Sequence, residues 1–317
     1  MDHESRMAAV REVLDGLSVG DALGSYVGEG YVRNPQALLQ RRIPPPGPDG
    51  PYAWTDDSAM AIEIAGVLQR CGTVDEDLLA AAFAARFLKE PRRGYGGTAR
   101  RILTAIGQGQ PWRQVSREVF DGTGSLGNGS AMRVAPIGAY FADDPSRIVD
   151  EARRSALPTH WNDDAQAGAI AVALAVGWGF RMRQSMGQNM GQNMGQSALD
   201  PRQLFDHVLS QTPQSPVRDG IQTASRLDLT LPIDRAVRVL GNGSDVLCRD
   251  TVPFVIYSAA RALDSFERAF FETASGQGDI DTTCAMVGAI VAAAGRSPPT
   301  AWLQMREPLA RSIALDL

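Results

Sequence analysis

"AQAGAIAVALAVGWG", residues 165–179, contains no charged side chain and intersperses alanine and glycine with larger apolar groups. Ile170, Ala173, Leu174 and Gly177 recur at helical spacing, which predicts an α-helix rather than a strand. The apolar run from Ala165 to Phe180 is shorter than the roughly 20 residues that a membrane span requires, so it reads as a core helix. "CAMVGAIVAAAG", residues 284–295, predicts a second helix with the same small-residue face. Small side chains let helix axes approach closely, so both helices belong at the centre of a bundle. Whatever stands at their N-termini then lies near the middle of the molecule.

Outward from these two segments the period stays helical. It is carried by Val10, Val13, Leu14 and Leu17, by Ala61, Ile64, Ala65 and Leu68, and by Leu78, Leu79, Ala82 and Phe83. The expected fold class is all-α: a compact, orthogonal multi-helix bundle with long functional loops. Loops rich in Pro and Gly are expected at Arg42–Pro51, where "IPPPGPDGP" excludes regular helix, and at Ser210–Pro216. No composition shift marks a boundary, so residues 1–317 are expected to form a single domain. "SMGQNMGQNMGQS", residues 185–197, repeats Met186, Met190 and Met194 at intervals of four. A glycine in each unit costs helix about 1 kcal/mol relative to Ala, which favours a mobile surface insertion over a soft-metal or partner-binding Met cluster.

A net charge of −5 supplies no basic field for gripping nucleic-acid phosphates. Cys71, Cys248 and Cys284 are far apart, which argues against a disulfide framework, a redox CxxC pair and a zinc ribbon, and fits a reducing cytoplasm. The N-terminus shows no apolar signal region. With only His3, His160 and His207 available, and no two at ligand spacing, any metal must be held by hard oxygen ligands.

Those oxygens cluster twice, in "TDD" (55–57) and "GDIDTT" (278–283), each just ahead of an apolar helix. Taken singly, each cluster reads as a helix cap, because Asp and Thr are favoured at that position. A cap needs one side-chain oxygen, however, and both helices begin with two Asp and a Thr. If the two mouths converge, Asp56, Asp57, Asp279 and Asp281 repel one another unless a cation such as Mg²⁺ or Mn²⁺ compensates them. Sequence alone leaves convergence open. Three glycine-rich loops, "GDALG" (20–24), "RGYGGT" (93–98) and "GTGSLGNGSAMR" (122–133), suit either turns or backbone nests for phosphate. His160, in "LPTHWNDDAQAG", is either a loop histidine beside a helix start or a site residue.

"GDALG", "WTDDSAMA", "RGYGG", "GSLGNGSAMRVAPIG", "THWNDDA" and "GDIDTTCAMVGAI" occur in an order and spacing that resemble the ADP-ribosylglycohydrolase family, from about Leu14 to Gly295. The resemblance implies an all-α fold with two divalent cations, Mg²⁺ or Mn²⁺, coordinated by residues matching Thr55, Asp56, Asp57, Asp279, Asp281 and Thr282. It also implies that Gly124, Ser125, Leu126, Gly127, Asn128 and Gly129 hold the diphosphate of ADP-ribose and that Phe120 or a neighbour stacks on adenine. Gly94, Gly96 and Gly97 would line the same cleft, and His160 matches a cleft histidine. The family's acidic residue after the first glycine motif falls on Gly28, so Glu29 fills that role only after a loop adjustment. Glu29, Asp57 and Asp279 are the expected proton-moving carboxylates, with Asp21 as an alternative to Glu29.

The expected activity is metal-dependent hydrolysis of the N- or O-glycosidic bond between ADP-ribose and an acceptor. The expected partners are ADP-ribosylated proteins or small molecules, with nucleic acid only as a modified acceptor, no membrane, and a monomeric enzyme. The alternatives are a crystallin-like ADP-ribose binder with little turnover and a two-metal nucleotide phosphoesterase that would yield inorganic phosphate or AMP.

Overall fold

Gly16, Gly20 and Gly24 stand four residues apart on the first helix, α1 (His3–Val27), and their missing side chains set the centre of the bundle. The computed structural model describes residues 1–28, 32–189 and 200–309. Among these, α1 is followed by α2 (Pro35–Leu39), α3 (Asp56–Cys71), α4 (Glu76–Lys89), α5 (Gly97–Gly107) and α6 (Trp112–Glu118). Next come α7 (Ala135–Tyr140), α8 (Pro145–Ala156), α9 (Asp163–Asn189), α10 (Pro201–Gln211) and α11 (Pro216–Arg226). The chain continues through α12 (Ile233–Leu240), α13 (Cys248–Arg261), α14 (Phe266–Ser275), α15 (Ile280–Ala293) and α16 (Thr300–Met305). Among the described residues only two isolated β-bridges occur, Tyr52 with Arg306 and Gly127 with Leu247, so the all-α expectation holds.

A Cβ on Gly16 would lie 2.5 Å from the Gly288 carbonyl oxygen, one on Gly20 would strike the Cys284 carbonyl, and one on Gly24 would lie 2.7 Å from Asp281 Cα. As α1 numbers rise, α15 numbers fall, so the two helices run antiparallel with backbone against backbone. That seam brings Asp21 of α1 beside the N-terminus of α15. Along α9, a Cβ on Gly138 of α7 would strike the Ala173 carbonyl, one on Gly168 would strike Cys248 of α13, and one on Gly179 would lie 3.0 Å from Ala294 N. The predicted central helix is therefore real, and longer than its apolar run suggests. From Asp163 to Met186 it is long and apolar enough to cross a membrane, yet 89% of its most apolar stretch is buried within the bundle.

Residues 43–51 form the expected irregular loop. The second expected loop is shorter than Ser210–Pro216, because α10 persists to Gln211 and Pro216 opens α11 with Ser215 as its cap. Pro is favoured there: its fixed φ suits the first turn, and its missing N–H needs no partner. Of the Met repeat, α9 takes up residues 185–189, and the remainder, including Met190 and Met194, lies outside the described residues.

Candidate active site

Asp21 is buried in the seam, and four donors from the start of α3 converge on its carboxylate. Thr55 N reaches both oxygens at 3.0 Å, Ser58 N reaches Oδ2 at 3.0 Å, and the Thr55 and Ser58 hydroxyls lie at 2.8 and 2.5 Å. This fixes the mouth of α3 to α1. Burial raises the Asp21 pKa to about 6 despite those four bonds.

The mouths of α3 and α15 then meet, with Thr282 Oγ1 3.4 Å from Asp57 Oδ2. Asp21, Asp57 and Asp281 each bring a carboxylate oxygen within 4.8 Å of the others. Asp57 Oδ1 and Asp281 Oδ1 are buried with no hydrogen-bond partner. Thr55 Oγ1 lies 2.8 Å from Asp21 Oδ1 and 3.0 Å from Asp57 Oδ2, and one hydroxyl proton serves only one of them. Burial, then the charges of Asp21 and Asp281, pushes Asp57 well above the usual carboxylate range. Burial, then Asp279 and Asp21, does the same to Asp281. Asp56 is raised to about 8 by burial, with Asp21 and Asp279 adding to the rise and Arg133 opposing it. Unpartnered oxygens amid mutual repulsion are what a divalent cation would relieve, so these residues fit a hard-cation site. With donors of α3 converging on both of its oxygens, Asp21 anchors the mouth of α3 to α1 within this cluster.

Capping does not account for the two clusters. Thr55 caps α3 by accepting from Asp57 N, which leaves both aspartates surplus. Asp279 occupies the N-cap position of α15 but makes no side-chain cap bond; instead Asn128 Nδ2 donates to its Oδ2 at 2.7 Å. Elsewhere Asp75, Asp144 and Asp200 each cap a helix through one oxygen.

A cleft of about 610 Å³ opens over these carboxylates. Asp56, Asp57, Asp279, Asp281 and Thr282 form one end, and Gly94, Gly96, Gly97, Phe120, His160 and the loop Ser125–Gly129 line the rest. Gly96 and Gly97 lie at the start of α5, a helix N-terminus whose first amides have no intrahelical acceptor. Gly94 adopts φ +92°, and a Cβ there would lie 3.1 Å from Asp56 Oδ1, so this position favours glycine for both reasons. Arg93 secures the same loop: it stacks 3.6 Å from the Trp54 ring centroid and pairs with both Glu307 oxygens at 2.6 and 2.9 Å.

Two predicted residues are absent from the cleft lining. Thr55 Oγ1 lies 3.0 Å from Asp57 Oδ2, and at Gly124 (φ +73°) an added Cβ would lie 2.8 Å from Asn162 N, where it would not fit. Glu29 lies outside the described residues. Sequence reasoning missed a further stretch of the cleft wall, Asp245, Val246 and Leu247. This wall pairs with the predicted loop through Asn128 N to Val246 O at 3.0 Å and Cys248 N to Leu126 O at 3.1 Å. The available signal was a repeated tetrapeptide: "GNGS" occurs at 127–130 and again at 241–244. Phe120 and Val246 line the cleft with positive φ of 52° and 56°, and each is more than half exposed. Such strain in non-glycine residues persists where surrounding structure imposes it, commonly at ligand sites.

A family model described as ADP-ribosylglycohydrolase matches residues 2–315. ADP-ribosylhydrolase ARH3 of Gallus gallus is 30% identical, with 95% of this chain and 89% of that protein covered. ADP-ribosylhydrolase ARH3 of Homo sapiens is 29% identical over 90% of this chain and 85% of its own length. A solved structure described as an ADP-ribosylglycohydrolase-related protein complex superposes with a TM-score of 0.63 at 23% identity, covering 98% of this chain and 96% of the other, and supports the fold alone.

Proposed function

Since the chain belongs to the ADP-ribosylglycohydrolase family over residues 2–315, we propose that it hydrolyses the N- or O-glycosidic bond joining ADP-ribose to an acceptor, reversing ADP-ribosylation. The observation that carries this reading is the convergence of two carboxylate-bearing helix mouths at one end of a cleft whose other walls are glycine loops and a helix N-terminus. A dianionic diphosphate suits Ser125–Gly129 and the start of α5, where amide dipoles favour negative charge. Phe120, an exposed aromatic residue that lines the cleft, supplies an apolar surface for adenine. The distal ribose then lies at the carboxylates.

Two divalent cations, Mg²⁺ or Mn²⁺, would be held by Asp56, Asp57, Asp279, Asp281 and Thr282, with Thr55 acting through Asp57. Bound there, they supply Lewis acidity that polarises ribose oxygens and water at neutral pH. The chain's own residues orient and move protons. Asn128, itself steadied 3.1 Å from Thr251 Oγ1, holds Asp279 toward the cleft, and Asp279 and Asp57 are the carboxylates placed to exchange protons with the reacting groups.

Product analysis on a panel of arginine-, serine- and small-molecule-linked ADP-ribose, with Mg²⁺ or Mn²⁺ present, tests the assignment. Free ADP-ribose is the expected product from at least one conjugate. Release of AMP or inorganic phosphate would replace this reading with phosphoesterase chemistry, and calorimetric ADP-ribose binding without turnover would replace it with a binder.

A further inference from the structure

Arg133 is buried beneath the cleft, with its guanidinium carbon 4.4 Å from the Phe83 ring centroid and no carboxylate bonded to it among the described residues. Its Nη2 donates to the Ser155 carbonyl at 3.1 Å and to Thr159 Oγ1 at 2.8 Å. A guanidinium only donates, so Thr159 Oγ1 is the acceptor in that bond. The same oxygen lies 2.7 Å from His160 Nδ1. Thr159 is buried, and among the described residues its hydroxyl proton has no other acceptor. Donation to Nδ1 satisfies that proton; the reverse direction would leave an O–H buried and unpaired. Nδ1 is therefore the ring's acceptor, and the ring proton of the neutral imidazole falls on Nε2. Nε2 faces the loop across the cleft floor, 3.2 Å from where a Cβ on Gly129 would stand and 3.4 Å from one on Gly127. It has no protein hydrogen-bond partner among the described residues.

We propose that Arg133 and Thr159 are positioning residues that lock His160 in its Nε2–H tautomer, so that His160 meets the ligand as a hydrogen-bond donor to a phosphate or ribose oxygen and not as a general base. The identity of the ligand rests on the function proposed above; the lock does not. A base would need a lone pair facing the cleft, whereas the lone pair of this ring points at Thr159. Burial, with the Arg133 charge behind it, also opposes protonation of the ring, so the donor stays neutral.

Long-range proton–nitrogen NMR of the ligand-free, nitrogen-15-labelled protein at pH 7 reads the tautomer directly. The chain has three histidines, so loss of signals in His160→Gln assigns them. The expected spectrum has Nε2 protonated and Nδ1 bare. Thr159→Val should mix the tautomers and weaken calorimetric ADP-ribose binding about fivefold to tenfold, and Thr159→Ser should restore both. A wild-type ring protonated on Nδ1 overturns the proposal, even if the valine variant fails to fold, and so does a valine variant with wild-type tautomer and affinity. Failure of the wild type to bind ADP-ribose while its Nε2–H signal persists would instead overturn the ligand assignment and leave the lock in place.

Discussion

Asp57 and Asp21 are both buried aspartates within one carboxylate cluster, yet their partners give them different work. Four donors surround the Asp21 carboxylate, while Asp57 retains an oxygen with no partner. Asp57→Asn removes a repelling charge and is expected to leave thermal stability equal or higher, while calorimetric Mn²⁺ affinity and kcat/KM fall at least about 100-fold. Asp21→Asn places an amide NH₂ against donors and is expected to cost about 3 kcal/mol in denaturant unfolding. Equal effects of the two substitutions on stability would contradict this division. Residue types at the site were legible in sequence: all four predicted aspartates line the cleft, together with Thr282 and the predicted glycines except Gly124. The anchoring by Asp21 was not legible, because it depends on an α1–α3 contact 34 residues apart along the chain. Nor was the state of His160, which depends on Arg133, a residue that sequence presents only as the end of a glycine motif.

At the scale of elements, the site exists because α1 and α15 touch backbone to backbone. Gly20→Ala drives a methyl into the Cys284 carbonyl, where neither helix can yield without moving Asp21 from Asp281. A loss of about 3 kcal/mol is expected, with cation affinity falling alongside it. Gly66, within α3, has nothing within 4 Å of a Cβ, and Gly66→Ala should stabilise the protein by about 0.5–1 kcal/mol with activity unchanged. Thermal unfolding of the pair checks both, and a tolerated Gly20→Ala would dismiss the seam as the organising contact. Helical period and small-residue faces made the central helices readable. They did not reveal which pair forms the tightest seam, since the glycines of α1 lie among larger residues. The wall at 245–247 escaped for a related reason: a turn is short, and its partner loop is more than a hundred residues away.

Over the whole molecule, the carboxylate cluster sets how stability responds to pH. The folded pKa values of Asp21 and Asp56, about 6 and 8, lie above the value near 3.8 expected when unfolded. Between 3.8 and those values the folded state keeps protons that the unfolded chain has lost, so this contribution to stability falls as pH rises and is fully lost above about 8. His160 and His207 are held below their ordinary value, so their contribution rises with pH until about 6.5, opposing the trend at the acid end. The difference in melting temperature with and without saturating Mg²⁺ cancels the histidine contribution. It is expected to widen from pH 6 to pH 8 as protons leave ligands the cation can then occupy. A difference that shrinks over that range would place the cation elsewhere.

The joined mouths of α3 and α15 are the proposed seat of the cations on which hydrolysis in this cleft depends. Release of free ADP-ribose from the best conjugate, measured in chelator-stripped protein before and after adding back Mg²⁺ or Mn²⁺, tests this assignment most directly. The predicted result is no release from stripped protein, recovery on addition of the cation, and no recovery in Asp57→Asn. Undiminished release from stripped protein, or full recovery in Asp57→Asn, would contradict it.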